Sequence, residues 1–314
     1  MISAYIFENG KLVETEDCSE APVLICTEPD QKEKAFIRDE FDLGHHTLQS
    51  VLDENELPRV ESRDNKIVII LKHPLHIGVV DTHIEFRVTS LGAVIYEDRL
   101  LFIFNEPMPH KEFLMPVARG EDIRDLLINV LHRTTLHFHE HLRCISLGME
   151  QIEEEVIEAE DTKRLIDLFS LGKSLTYYVN ALNGNNSLIE RIYNSTERLG
   201  FNSMQKDTLD DIRLDSAQCC QEAAITTSIM TKMTDTRISM MGNNLNNLMK
   251  RLTVISLLIM PMNLIAGIGG MSEYTAFTQG WLPMWASYGL LFLVFVLIAF
   301  LTYKVMKKFG LLNY

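Results

Sequence analysis

The sequence lacks the short motifs that mark common catalytic sites. Its 314 residues contain no glycine-rich phosphate loop, no nucleophile elbow and no HExxH zinc motif. The five cysteines form no CxxC pair and no regular framework, which indicates reduced thiols. The sequence therefore gives no support for an enzyme.

Basic residues are scarce. There are 29 Lys and Arg residues against 43 Asp and Glu residues, a formal net charge of −14 at pH 7. This charge argues against nucleic acid and anionic substrates as partners, and it is compatible with concentrating cations near an entrance. Solubility alone is the alternative explanation.

Charged residues are absent from 252–271 and from 274–303. Each stretch can hold the roughly 20 apolar residues that a membrane-spanning helix needs. We predict two spans in the lipid bilayer, at about 252–271 and at 285–304. The first residues have no basic start followed by an apolar core, so we expect no cleaved signal peptide.

The basic residues around the spans predict the orientation. Lys250 and Arg251 precede the first span, lysines follow the second, and the loop at 272–284 contains no Lys or Arg. The positive-inside rule then places both termini in the cytoplasm, including the basic tail at 305–314.

A polar and small seam runs along the first span. Its residues recur every three or four positions and so share one helix face. They are Asn246, Met249, Thr253, Ser256, Met260, Asn263, Gly267 and Gly270. Asn and Ser are unfavourable on a helix face that contacts lipid, whereas they are favourable on a helix face that lines a water-filled path. A single copy would expose these groups to lipid, so the pattern predicts a ring of identical helices of unspecified number.

The rest of the chain divides into three predicted parts. Residues 1–119 alternate strand and helix signals and predict an α/β domain with a mostly antiparallel sheet. In it, Asn9-Gly10 predicts a hairpin turn, PVLICT a buried strand, and HIEFRVTSL and GAVIYED two strands separated by a turn before Gly92. Residues 120–205 predict an acidic helical hairpin, with a helix break at Gly184-Asn185-Asn186 and an end at residues 200–203. Residues 206–271 contain no proline except Pro261 and predict one helix, about 95 Å long, whose first two-thirds form a cytoplasmic stalk.

Two segments carry a family resemblance. NNLNNLMKRLTVISLLIMPMNLIAGIGGM and LPRVESRDNKIVIILKHP resemble the stalk-to-pore segment and a strand entry of the CorA family, the two-transmembrane GxN divalent-cation channels. The resemblance implies a homopentamer in the inner membrane that transports Mg²⁺, with Co²⁺, Ni²⁺ and Zn²⁺ as alternatives, and no tightly bound cofactor. It also implies pore positions at Asn246, Met249, Leu252 and Met260, while Asn263 replaces a threonine.

The outer end of the first span departs from the family. CorA proteins close it with Tyr-Gly-Met-Asn, whose Asn amides meet the hydrated ion, and this chain has Gly269, Gly270, Met271 and Ser272. A Ser hydroxyl is shorter and lacks the carbonyl dipole of an amide. The next residue, Glu273, would add one carboxylate per subunit at the mouth, or it is an exposed loop residue.

Cytoplasmic Mg²⁺ bound between subunits closes channels of this family. The resemblance places such carboxylates at Asp211, beside Asp210, and at Asp235. The opposing acidic pair aligns with Gln49 and Ser50, so we expect Asp53, one turn later on the same helix face, to substitute. Alternatively, these aspartates are merely solvated.

One pair of histidines has a metal-binding spacing. His137 and His141 share a helix face at i, i+4, but no third ligand is evident. The alternative is a packed helical face.

Two other functions fit the same pattern. One is proton-linked zinc transport, as in the related ZntB branch. The other is a membrane-bound sensor or scaffold that no longer conducts ions.

Overall fold

The structure is a computed structural model that describes residues 1–8, 11–63, 66–75, 78–80, 83–106, 122–156, 162–269, 280–281 and 283–308. The chain forms two compact units, Met1–Thr234 and Asp235–Tyr314. The strands are β1 (Ile2–Glu8), β2 (Lys11–Thr15), β3 (Val23–Thr27), β4 (Arg59–Arg63), β5 (Lys66–Pro74), β6 (Gly78–Val80), β7 (His83–Glu85), β8 (Val88–Tyr96) and β9 (Arg99–Phe104). The helices are α1 (Gln31–Glu40), α2 (His45–Val51), α3 (Ile123–Val156), α4 (Thr162–Asn194), α5 (Ser203–Gly269) and α6 (Met284–Lys308).

Seven strands of the first unit form one sheet in the order β2-β1-β3-β9-β8-β5-β4. All neighbours are antiparallel except β3 and β9, and β6 pairs with β7 as a separate ribbon. Strands β1 and β2 pair up to Glu8 and Lys11, which confirms the hairpin predicted at Asn9-Gly10. The predicted mostly antiparallel sheet is confirmed as well.

Helices cover both faces of this sheet. The apolar runs of β3, β5, β8 and β9 are buried on both sides, since alternate residues point to opposite faces. Ile69 and Phe102 pack with residues of α3, α4 and the start of α5. Ile70 and Ile103 pack with residues of α1 and α2. The result is a three-layer α/β unit, in which each large buried side chain contributes about 1.5–3 kcal/mol.

Strand β8 runs without interruption from Val88 to Tyr96, so the turn predicted before Gly92 is wrong. A Cβ at Gly92 would lie 2.2 Å from Cγ1 of Val51 in α2. The glycine therefore allows α2 to approach the sheet closely, and its local turn preference is overridden by this contact.

Helix α4 also continues through residues 184–186, so the predicted helix break there is wrong. A Cβ at Gly184 would lie 2.6 Å from Cγ of Pro58. Asn185 is buried, its Oδ1 accepts from the backbone N–H of Lys72 at 2.8 Å, and its Nδ2 donates to the Lys72 carbonyl at 2.7 Å. The pairing of β4 with β5 ends at Ile70, so this amide replaces the missing strand partner.

A tight connection precedes α5, as the sequence predicted. Gly200 has a φ of +75°, the left-handed region that favours glycine. The backbone N–H of Gln205 donates to Asn202 Oδ1 at 2.9 Å, and the Gln205 side chain accepts from Asn202 N at 2.9 Å. This reciprocal capping box satisfies two of the free N–H groups at the helix start.

Among the described residues, two helices are long and apolar enough to cross a bilayer, judged by length and composition. They are α5, whose candidate stretch ends at Gly267, and α6 from Met284 to Lys304. Helix α5 contains 67 residues and includes Pro261 within its last turns. The two helices include the predicted spans at 252–271, as far as Gly269, and at 285–304.

Candidate cation pathway

The polar seam lies on α5, and its side chains are exposed in the single chain. The described positions of the seam are Asn246, Met249, Thr253, Ser256, Met260, Asn263 and Gly267. Leu252, which the resemblance places in the pore, is also exposed. Met260 is 67% exposed, and a Cβ added at Gly267 would meet nothing within 4 Å. The chain itself therefore leaves this face uncovered.

The opposite side of the same span is partly covered. Val254 is only 8% exposed, and Pro261, Met262 and Ile265 are half-buried. At 100° per residue, Val254 lies about 140° round the helix from the centre of the seam. Apolar side chains between these two sides, such as Leu264, are exposed together with the seam.

The seam offers neutral oxygen and nitrogen groups. The Thr253 hydroxyl donates to the Met249 carbonyl at 2.8 Å, so its proton is satisfied locally and its oxygen keeps lone pairs for another partner. The Asn246 and Asn263 amides and the Ser256 hydroxyl can both donate and accept. Such groups can interact with the water shell of a hard divalent cation, which gives up its waters reluctantly.

Helix α6 carries interface-type side chains near both ends. Trp281 and Trp285, just before and within its first turn, are 92% and 81% exposed. Near the other end, the ammonium of Lys304 lies 5.8 Å from the ring centroid of Phe300, and Tyr303 is exposed. Aromatic and basic residues of this kind mark the borders of a bilayer.

The outer motif at Gly270, Met271, Ser272 and Glu273 lies outside the described residues. The predictions about it therefore remain predictions.

The aspartates predicted to bind a regulatory cation differ in their surroundings. Asp210 accepts two hydrogen bonds from Arg213, at 2.8 and 3.0 Å, and these bonds to the Asp210 carboxylate raise the pKa of that guanidinium. Asp211 and Asp235 are exposed on α5. Asp53 was predicted to lie on the face of helix α2, and that prediction is wrong. Helix α2 ends at Val51, so Asp53 lies past its end. Its Oδ1 accepts from the Asn55 backbone N–H at 2.9 Å, which closes a local turn.

His137 and His141 do lie together, with ring centroids 4.4 Å apart. Nδ1 of buried His141 is hydrogen-bonded to the Tyr178 hydroxyl at 2.6 Å, so this nitrogen is occupied. Burial raises the pKa of Tyr178, which keeps the phenol protonated. His73 stands 5.2 Å from the His137 ring, a contact that the spacing of residues along one helix could not reveal.

No group of three or more His, Cys, Asp or Glu residues is arranged to hold a metal ion within the described ranges. His139, which neighbours this pair in sequence, has its Nδ1 2.9 Å from a carboxylate oxygen of Glu222. The contacts described here join α3 to β5, α4 and α5 within the first unit.

The chain is similar to known proteins in both sequence and fold. Residues 24–308 match the model of the family described as CorA-like Mg²⁺ transporter protein. The cobalt/magnesium transport protein CorA of Methanocaldococcus jannaschii is 26% identical over 259 residues, which cover 79% of this chain and 78% of that protein.

Solved structures agree with the predicted fold class. The complete structure of the CorA magnesium transporter from Methanocaldococcus jannaschii matches with a TM-score of 0.76 at 21% identity, covering 98% of both chains. The full-length CmaX protein matches with a TM-score of 0.72 at 14% identity, over 98% of this chain and 97% of that one. The α/β unit, the long helix and the two C-terminal candidate spans are thus confirmed as a CorA-like fold. The chain belongs to the family of CorA-like Mg²⁺ transporter proteins.

Proposed function

We propose that this protein conducts Mg²⁺ through a pore formed by a ring of α5 helices, one from each copy of the chain. The observation that carries the proposal is the polar seam on α5, which is uncovered in the single chain and lies opposite the partly covered side of the same span. Members of the family are transporters and not enzymes, and the relative's name specifies cobalt and magnesium. These names support Mg²⁺, with Co²⁺ second, as the transported ion.

The seam supports a pathway for a hydrated ion. Rings of Asn263 and Asn246 would exchange hydrogen bonds with the ion's water shell, because their amides are exposed and neutral. Rings of Met260 and Met249 would form narrower apolar constrictions that control the passage of the hydrated ion. A membrane potential of 100 mV contributes about 4.6 kcal/mol per divalent ion, at 2.3 per unit charge, so no nucleotide hydrolysis is needed.

We further propose a homopentamer in the inner membrane with both termini in the cytoplasm. The pentamer comes from the family resemblance, and the need for several copies comes from the exposed seam. The orientation comes from Lys250 and Arg251 before the first span and Lys304 and Lys307 at the end of the second. Residues 272–284 would then lie outside.

At the outer mouth, Gly270, Met271 and Ser272 would select the ion and Glu273 would attract it. On the cytoplasmic side, Asp211 and Asp235 are the proposed regulatory ligands, since their carboxylates are exposed. Asp210 would contribute less, because Arg213 already neutralises it. Asp53 is also a weaker candidate, because its carboxylate already accepts a hydrogen bond from the Asn55 backbone N–H.

Uptake by purified protein in liposomes tests the proposal. Mg²⁺, Co²⁺, Ni²⁺ and Zn²⁺ would each be supplied with and without a pH gradient, at a fixed membrane potential. Mg²⁺ uptake without a gradient is the expected result. Zn²⁺ uptake that requires a proton gradient would support a ZntB-like transporter instead, and no flux of any ion would support a non-conducting sensor or scaffold.

The Ser272→Asn variant tests the outer mouth separately. It restores the family's amide, so the preference among the four ions should change if this ring selects. An unchanged preference would move selection inward, to Asn263 or Asn246.

A further inference from the structure

Basic residues are concentrated at one end of the two candidate spans. Residues 250–314 contain five of the chain's 29 basic residues and one of its 43 acidic residues, Glu273. The five are Lys250 and Arg251 before the first span and Lys304, Lys307 and Lys308 at the end of the second. The rest of the chain has 24 basic residues against 42 acidic ones. This border of the spans is therefore positive in a chain that is negative elsewhere.

Helix α6 has two sides with different surroundings. One side is buried or half-buried, and its residues recur every three or four positions; they are Ser287, Leu291, Phe295, Ile298 and Thr302. The other side is apolar and more than half exposed, with the same spacing; its residues are Leu290, Leu293, Leu297 and Phe300. An exposed apolar face on a helix of this length fits the acyl chains of a bilayer.

Lys304 and Lys307 continue the exposed side of α6. They follow Phe300 by four and seven residues, so they lie on the same helix face. Both lysines are exposed, and the ammonium of Lys304 lies 5.8 Å from the centroid of the Phe300 ring. The face thus changes from apolar to cationic within about two turns. A phospholipid has the same order from its acyl chains to its headgroup.

The basic residues of α5 lie away from the polar seam. At 100° per residue, Lys250 and Arg251 lie about 100° and 160° round the helix from the centre of the seam. Both are exposed in the single chain. Together, Lys250, Arg251, Lys304 and Lys307 form the basic border.

Helices α5 and α6 supply no carboxylate close to this border. Along α5, the nearest acidic residue before Lys250 is Asp235, about 22 Å away at 1.5 Å per residue. This distance exceeds the screening length of about 8 Å at physiological salt. Helix α6 contains no Asp or Glu. Basic residues that only orient the chain during insertion need no particular helix face, whereas Lys304 and Lys307 both end a face suited to lipid.

We propose that the basic border binds the phosphate group of an anionic phospholipid, such as phosphatidylglycerol. Lys304 and Lys307 would donate charge-assisted hydrogen bonds to the phosphate oxygens, and the acyl chains would lie along Leu297 and Phe300. Lys250 and Arg251 would add attraction to the same leaflet, which is the cytoplasmic one in the proposed orientation. This binding is separate from conduction and does not depend on which cation passes.

Native mass spectrometry of the full chain in detergent tests the proposal. The protein would be titrated with phosphatidylglycerol, with phosphatidylcholine of the same acyl chains, and with glycerol phosphate, which has the anionic group but no chains. Phosphatidylglycerol should bind with an apparent Kd about tenfold or more below that of phosphatidylcholine. Glycerol phosphate should bind more weakly than phosphatidylglycerol, because it cannot contact the apolar face.

Three double variants test the residues. Lys304→Gln with Lys307→Gln should raise the apparent Kd for phosphatidylglycerol by about thirtyfold, since each basic residue near a bilayer surface contributes roughly fivefold. Binding of phosphatidylcholine should not change. Lys304→Arg with Lys307→Arg keeps the charge and should bind phosphatidylglycerol as the native chain does. Lys32→Gln with Lys206→Gln removes the same charge at exposed positions of the first unit and should change neither affinity.

Three results would overturn the proposal. They are equal affinity for the two phospholipids, equal losses in the two Gln double variants, and glycerol phosphate binding as tightly as phosphatidylglycerol. The last result would indicate a site for soluble phosphates instead. Because this measurement contains no transport step, a failure of cation uptake in liposomes would leave lipid binding intact.

Discussion

Helices α4 and α5 both carry glycine and asparagine on one face, but the two faces have different surroundings. Gly184 and Asn185 of α4 lie against Pro58 and Lys72 of the same chain. Asn263 and Gly267 of α5 are exposed. In α4 these residue types therefore make contacts within the folded chain. In α5, as we propose, they contact water, ions or other copies of the chain.

This contrast explains why the sequence predicted a break in α4 where the helix in fact continues. Small and polar residues within a helix predict a break when nothing is known of their neighbours. Inside a folded unit they can instead mark a close approach to a strand. Substitutions at matched positions in the two helices should separate these roles.

The largest expected effect is at Asn185. Asn185→Ala leaves the buried N–H and carbonyl of Lys72 without their amide partner, which should lower the free energy of unfolding by about 2–4 kcal/mol. Chemical denaturation of the full chain in detergent measures this. Asn183→Ala, at an exposed position of the same helix, is the control and should change stability little. Equal losses in both variants would contradict the role of the amide.

The glycines give a second matched pair. Gly184→Ala forces a Cβ to within 2.6 Å of the Pro58 ring and should lower the free energy of unfolding by about 1–3 kcal/mol. Gly267→Ala meets nothing within 4 Å and should leave stability unchanged or slightly higher. Thermal melting of both variants is the measurement. A loss of stability in Gly267→Ala would show that this position is packed, within the chain or against another copy, and would contradict an open seam.

The third prediction concerns flux through the seam. Asn263→Leu should reduce Mg²⁺ uptake in liposomes by about tenfold or more, because a ring of amides becomes apolar, while stability is unchanged. Ile255→Leu changes an exposed apolar residue away from the seam and should transport normally. If both variants transport alike, α5 does not line the pathway with this face.

The smallest effect is a difference in thiol reactivity along α5. Native Cys219 is buried, and burial raises the pKa of its thiol to about 12, so the reactive thiolate stays rare below that pH. Cys219 should therefore resist a water-soluble maleimide at pH 7 and become reactive only as pH rises toward 12. An added Asn263→Cys should react at pH 7 in proteoliposomes through the watery pathway. Mass spectrometry counts the maleimide adducts. If the cysteine introduced by Asn263→Cys does not react, the pathway at this position is not filled with water.

The sequence predicted well wherever the signal was local. The hairpin at Asn9-Gly10, the apolar strand Val23–Thr27 and the unbroken run after Lys206 were all identified, because turn chemistry and proline placement act within a few residues. Gly92 was misread for the opposite reason. Its role depends on Val51, which is distant in sequence and adjacent only in the fold.

The candidate site shows the same limit. Helical periodicity was enough to place Asn246, Met260 and Asn263 on one face. It could not show that Val254 on the other side is covered, nor that the Tyr178 hydroxyl occupies a nitrogen of His141. Asp53 was placed on a helix face because no sequence signal marks the end of α2 at Val51.

The amide of Asn185 also closes part of a strand edge. Past Ile70, strand β5 has no β4 partner on its outer side, and an open strand edge can pair with another chain. Asn185 occupies both backbone groups of Lys72 on that side, so an incoming strand finds no free donor or acceptor there. A side chain that the sequence presents as part of a helix break thus closes the open edge of β5 at Lys72.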